Sequence, residues 1–516
     1  MTNPPAQTIT CGMIELLESR IAPAGIVSIS VKAGVLSISA PIGDTDAQTI
    51  TITNPAPGSF TITPDAGTQL KLGSAAALDA GTALTLEAIT SDIKVALGGG
   101  DDTIALTGST ALRHVTFDSG DGADTIRVSA STVGGNLTLL GGAGADTLVL
   151  EGESVLVGGT ASLSGGDGDN TYTLSATALS VGKSLVFTGG TGKETINATP
   201  IDSARIVIGG ALFITPGGGQ LAVSITPSSS LTIGDALTIT ALGASTTTLT
   251  LGANGSAFIK GNATFKLGSA SNTVTLAAGG SLSMLGGIKY TGGGLVDDLT
   301  IQASTISLLG GLSATLGAGV NSVDISASSG IYVGLGVTVA GLNGTDTFEW
   351  SGGGIVVGKF SVNLGIGIGQ SALITGGLSI GKGLAISGIG TGNSAANITL
   401  SQLAISGTSA ISLGNGADVV NIDGVHFLGK TTISTGVGAD SVKIERAGSV
   451  GVTTFGGTAS IFLGDGADTL EVSSVSANDM TRFAVKWFAD GGAGVNLATL
   501  SATNVFEPFG HQFKSL

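Results

Sequence analysis

The sequence predicts an all-β parallel β-solenoid, and three observations carry that prediction. Glycine supplies 87 of 516 residues, more than twice its usual share of about 7%. One short phrase recurs at near-constant spacing along most of the chain. Between its copies apolar and polar side chains alternate, as in Thr125-Ile126-Arg127-Val128, which is the period of a half-buried strand.

Composition removes the competing classes. Each interior Gly costs a helix roughly 1 kcal/mol relative to Ala, so a helical globular enzyme is a poor fit. An apolar fraction of 42% with mean hydropathy +0.48 is too high for a disordered chain. Eleven prolines without a three-residue period exclude collagen. The net charge of −16 argues against nucleic acid or anionic lipid as partners and favours cations. Cys11 stands alone and forms no internal disulfide. The most apolar stretch, 352–390, is broken by Lys359, Lys382 and many glycines, so no membrane span is predicted.

The recurring phrase is a Gly-rich turn, an acidic or amide residue, Thr and an apolar run. It reads GGGDDTI at 98–104, GDGADTI at 120–126, GAGADTL at 142–148, GDGDNTY at 166–172 and GTGKETI at 190–196. It returns as GNGADVV at 414–420, GVGADSV at 436–442 and GDGADTL at 464–470. Marking one residue per copy gives Asp102, Asp124, Asp146, Asn170 and Glu194, then Asn272, Asp298, Asn321 and Asp346, then Asp418, Asp440 and Asp468. A second phrase at 133–139, 157–163 and 181–187 supplies another turn, so each repeat holds at least two strands. A unit of this size cannot bury its own apolar face, whereas a stack can. A series of β-sandwiches would also carry Gly turns, but has no reason to keep one phrase at so even a spacing. Roughly 19 or 20 coils at ~4.8 Å each predict a rod about 90–100 Å long.

Three segments are expected: an N-terminal cap or export-like segment at 1–25, solenoid repeats at 26–475, and a C-terminal cap or assembly segment at 476–516. Met13, Leu16 and Leu17 share one side of a short helix that Pro23 would end. At the far end Phe483, Trp487, Phe488, Phe506, Phe509 and Phe513 gather in a chain otherwise poor in aromatics. They form either a cap core or a surface that docks on another subunit.

The Gly-rich turns resemble the calcium-binding nonapeptide of RTX (hemolysin-type) proteins, G-G-x-G-x-D-x-U-x. Residues 141–149 match every specified position; 165–173 carry Asn170 in place of the acid, and 119–127, 413–420 and 463–471 lack only the first Gly. The resemblance implies Ca²⁺ held by turn carbonyls and by the acids of neighbouring turns. Its metal-ligand candidates are Asp102, Asp124, Asp146, Asp169, Asp418, Asp440 and Asp468. RTX rolls repeat the nonapeptide back to back, whereas this chain has one such turn per repeat, so at most one edge would carry ions. Independently, acids stacked about 5 Å apart repel by roughly 3 kcal/mol per neighbour at an effective dielectric near 20, and oxygen-ligated Ca²⁺ relieves that. The alternative is that each Asp caps its own Gly turn in water. Residues 17–24, LESRIAPA, are similar to an L-E-x-R-I-A-P-A phrase near the start of large exported β-repeat proteins of some bacteria, which implies a secreted or bacterial cell-surface location.

The expected function is non-enzymatic: a calcium-stabilised structural protein acting as adhesin, matrix, surface-layer or filament subunit. Its expected partners are calcium ions, further copies of itself end to end or side by side, and a surface glycan. The alternative is a carbohydrate-active parallel β-helix enzyme, a polysaccharide lyase or glycoside hydrolase, which would need carboxylates clustered away from the turns. The acid pairs Asp101-Asp102 and Asp297-Asp298 fall at repeat turns, and His114, His426 and His511 lack zinc spacing. No C-terminal stretch reads as the membrane barrel of an autotransporter.

Overall fold

A computed structural model describes residues 25–516 except 112, 199–203, 389–394, 446–450, 473–479, 502–503 and 507–511. The expected N-terminal helix and the export-like phrase lie outside the described residues.

Each coil gives one strand to a shorter sheet and one long or interrupted strand to a larger sheet. Leu137–Ala143 shows the first kind, pairing in parallel with Val115–Asp121 before it and Ala161–Asp167 after it. Thr147–Val157 shows the second, lying between Thr125–Ser129 and Asn170–Val181. A Gly-rich turn leads from the shorter sheet into the larger, and a return corner such as Gly158-Gly159-Thr160 leads back. The winding comprises about 16 turns of about 25 residues, a rod of about 75–80 Å at ~4.8 Å per coil.

That is fewer coils than the even spacing predicts, and the reason lies at the N-terminal end. Val35–Ser39 runs antiparallel to Gly25–Lys32, Ser59–Pro64 antiparallel to Thr49–Ala56, and Leu84–Leu86 antiparallel to Ser59–Pro64. Residues 25–86 therefore fold back beside the first regular coil, whose strands Ile93–Ala96 and Thr103–Thr107 pair with them. Such hairpins cover a sheet edge that would otherwise offer unpaired backbone groups.

Register is kept from coil to coil, so like positions stack. Ile104, Ile126, Leu148, Tyr172 and Ile196 form one buried column, and Phe117, Leu139, Leu163 and Phe187 face it from the shorter sheet. Toward the C-terminus the columns become aromatic. The rings of Phe427, Phe455 and Phe483 lie 5.0 and 4.9 Å apart and nearly parallel. Trp487 stacks 4.5 Å from Phe483, and Phe513 meets it edge-on at 4.9 Å. Phe488 instead pairs with Phe462 on the outer face, and Phe509 lies outside the described residues. Parallel coil pairing runs on through Met480–Phe483, Trp487–Asp490 and Leu497–Leu500. Phe455→Ala is expected to cost about 3–5 kcal/mol, because two buried rings lose their partner. A thermal melt that moves no more than for an exposed Ser→Ala change would contradict this packing.

No helix among the described residues is long and apolar enough to cross a membrane.

Candidate functional site: a buried carboxylate ladder

Where the Gly-rich turn enters the larger sheet, strand alternation turns one residue per coil inward. In Asp124-Thr125-Ile126, Thr125 faces outward while Asp124 and Ile126 face the interior. Asp102, Asp124, Asp146, Asn170 and Glu194 occupy this position, all at most 1% exposed. Asn272, Asp297, Asn321, Asp346 and Gln370 hold it in the middle coils, and Asp418, Asp440 and Asp468 in the last, all at most 2% exposed.

The ladder is tied by bonds between coils. Asp124 Oδ1 accepts the Asp102 backbone N–H at 2.7 Å, and Asp146 Oδ1 accepts that of Asp124 at 3.0 Å. Asp440 and Asp468 do the same for Asp418 and Asp440 at 2.8 and 2.9 Å. Asn170 shows what the second side-chain atom meets: its Oδ1 accepts Asp146 N–H, while its Nδ2 donates to Gly166 O at 3.0 Å and Gly168 O at 3.1 Å. Asn272 repeats the pattern on Gly268 O and Ala270 O.

A carboxylate is isosteric with that amide but brings an acceptor where the turn also presents acceptors. Accordingly Asp102, Asp124, Asp146, Asp418, Asp440 and Asp468 each bury an Oδ2 without a hydrogen-bond partner. A proton or a cation satisfies oxygen facing oxygen. Burial is the leading cause that raises these acids, pushing Asp102 up to about 7 and Asp146 and Asp418 to about 6. The negative charge of Asp124 adds to the rise at Asp102 and Asp146, and that of Asp440 to the rise at Asp418. Asp124, Asp440 and Asp468 are raised by the same desolvation, against which the nearby Ser119 and Thr435 hydroxyls work at Asp124 and Asp440.

The middle coils solve the problem in part with amides. Asp297 Oδ1 accepts from Asn272 Nδ2 at 2.8 Å and its Oδ2 accepts Gly317 N–H at 2.7 Å, so both oxygens have donors. Asn321 Nδ2 donates to Asp346 Oδ1 at 2.7 Å, but Asp346 Oδ2 has no partner and burial raises this acid too. The ladder lapses between Glu194 and Asn272, where Leu221 and Thr247 take the position, and again at Ala396 between Gln370 and Asp418.

Several expectations change. Asp169 is exposed, its Oδ1 accepts Lys193 N–H, and its neighbour Asn170 takes the ladder position. Asp297, not Asp298, pairs in register with Asn272. The water-exposed capping role fails for the ladder acids, because their bonds cross to the adjacent coil. Asn496, which receives Asp468 N–H, and Gln48, whose N–H meets Asp102 Oδ1, extend the ladder at its two ends. Asn496 follows Gly494 at the usual interval and was findable from that; Gln48 carries no such signal.

The glycines have a cause of their own. A Cβ on Gly142 or Gly144 would stand 1.8 Å from the carbonyl oxygen of Gly120 or Gly122 in the coil before, and both residues have positive φ, 112° and 140°. Coil stacking alone demands Gly there.

Among the described residues no three His, Cys, Asp or Glu side chains converge on one point. An ion at the turns would therefore take few carboxylate oxygens and complete its shell from carbonyls. That hard, all-oxygen donor set fits Ca²⁺. No protein-family model matches this chain, and no significantly similar curated protein was found.

Proposed function

We propose that the protein is a non-catalytic structural rod whose Gly–Asp turns are stiffened by calcium, as in the RTX turns they resemble, and that it works outside the cell or on its surface as a matrix, adhesive or layer-forming component. The observation that carries this reading is the set of buried, unpartnered carboxylate oxygens, which run through successive coils at 102–146 and 418–468 and occur singly at Glu194 and Asp346. Sites with few carboxylates bind Ca²⁺ weakly, in the range about 10⁻⁴–10⁻³ M typical of extracellular modules. The lyase or hydrolase alternative draws less support. The strongly perturbed acids lie inside the wall at 1% exposure, beyond the reach of a saccharide. A groove of about 570 Å³ across the larger sheet is lined by Ala, Gly, Ser and Gln side chains such as Ala277, Gln302, Ser304 and Ser326.

Thermal unfolding with excess Ca²⁺, with EGTA and with Mg²⁺ tests the proposal. A ligand that binds only the folded state at 100 times its Kd adds about 2.7 kcal/mol, and the expected result is a Ca²⁺-specific rise in Tm. Equal melting in Ca²⁺ and EGTA, on metal-free protein, would overturn it. The pH dependence follows from the raised acids. Their protonated form favours the folded state, so metal-free stability is full below the ordinary value of 3.8 and is lost as pH rises through about 6 to 7. A metal-free rod that melts higher at pH 7 than at pH 4 would contradict this.

A further inference from the structure

We infer that the two edges flanking the shorter sheet are complementary surfaces through which copies of this chain associate side by side. On the Gly–Asp edge of the middle coils, Leu295, Val320, Leu342 and Ile368 are each more than half exposed. On the return corner of the same coils stand Leu285, Leu309, Leu335 and Val357, exposed by 41 to 68%. Both groups lie at corners that stack: Met284, Leu308, Val333 and Val356 align immediately before the return corners, and Asp297, Asn321, Asp346 and Gln370 align at the turns, with the exposed apolar residues at varying short offsets from these aligned positions. The corners recur at ~4.8 Å along the rod, and each of these coils offers an exposed apolar side chain at either corner, though not at one fixed position. A second copy carries the same two apolar edges, and the charges on those edges make it the occupant that fits.

Charge selects which edge meets which. Along the Gly–Asp edge Asp101, Asp121, Asp167, Asp169 and Asp465 are exposed, with Lys193 an exposed base among them. The return corners expose Lys183, Lys260, Lys359, Lys382, Lys430 and Lys486, with Asp235 an exposed acid among them. Joining two Gly–Asp edges would set acid against acid, whereas joining a Gly–Asp edge to a return corner sets acid against base. The contact is then heterologous: a joined pair keeps one free edge of each kind, and association continues as an open row. Contiguous exposed apolar rows on a monomer are themselves uncommon outside interaction sites. This inference rests on the reading of the protein as a structural rod but not on calcium.

The test uses two full-length variants, Leu295→Ser/Leu342→Ser/Ile368→Ser on one edge and Leu285→Ser/Leu309→Ser/Leu335→Ser on the other. Melting curves matching the parent establish that both fold, and light scattering with analytical centrifugation reads the assembly. The parent is expected to grow with concentration beyond a dimer, and each variant alone to remain monomeric. Mixed one to one, they should form a dimer and stop, since only one intact pair of edges remains. A parent that stays monomeric at high concentration, a variant that assembles as the parent does, or a mixture that forms no dimer would each overturn the inference. Loss of association with calcium-dependent melting intact would leave the calcium reading standing, and the reverse would leave this one.

Discussion

Replacing Asp124 and Asp440 together by Asn is expected to raise Tm in EGTA at neutral pH and to diminish the rise that calcium produces in the parent. In both turns Oδ1 would go on accepting the neighbouring coil's N–H, as Asn170 Oδ1 does for Asp146. The new Nδ2 would reach the turn carbonyls, as Asn170 Nδ2 reaches Gly166 O and Gly168 O. Each substitution removes a buried unsatisfied acceptor, which costs about 1–3 kcal/mol, and removes a negative charge from a stacked column. With calcium present the order reverses, because the amide has given up the oxygen that would face the ion. The matching double Ala variant loses the inter-coil bond as well and should melt lower in both conditions. If Asn destabilises as much as Ala in EGTA, the side chains are not arranged as described.

Gly144→Ala should be among the most damaging single-methyl additions in the chain. The added Cβ would stand 1.8 Å from Gly122 O, and the backbone holds φ at 140°. Backbone strain of about 1–3 kcal/mol combines with a steric conflict that only separation of the coils relieves, at a further 1–3 kcal/mol or so. Ala145→Ser, one residue on and exposed, is the control and should be near neutral. Soluble yield and Tm of the pair decide the matter; equal values would mean that the coils are not stacked as closely as this.

The coil was legible because a phrase repeated every 22 to 28 residues has to be a unit of structure, and the inward columns follow from its alternation. The direction of the acids was not legible. An Asp beside Gly reads as a solvated turn residue by habit of composition, and alternation through a turn does not say which of Asp169 and Asn170, or of Asp297 and Asp298, points inward. Pairing across coils settles that in the structure, since Asn170 aligns with Glu194 and Asp297 with Asn272. The N-terminal hairpins were missed because residues 25–86 lack the phrase, and Gly34 and Gly58, at their antiparallel reversals, resemble any other glycine in the list of turns. The exposed rows on the two edges were invisible for a related reason: Leu295 and Leu335 look like core residues until the register places them at corners.

The lapse of the ladder has a mechanical consequence. In a stacked rod each coil touches only its neighbours, so tension applied along the axis passes through every seam in series and the weakest seam bears the outcome. From Asp102 to Asp146, and again from Asp418 to Asp468, side chains tie each coil to the one before it in addition to the backbone ladder. At Leu221 an apolar side chain stands in the ladder position, between Glu194 and Thr247. Stretched by its two ends, the rod carries its load through stiff segments separated by more compliant joints near residues 194–247 and at Ala396, and those joints yield before the acid-tied coils do.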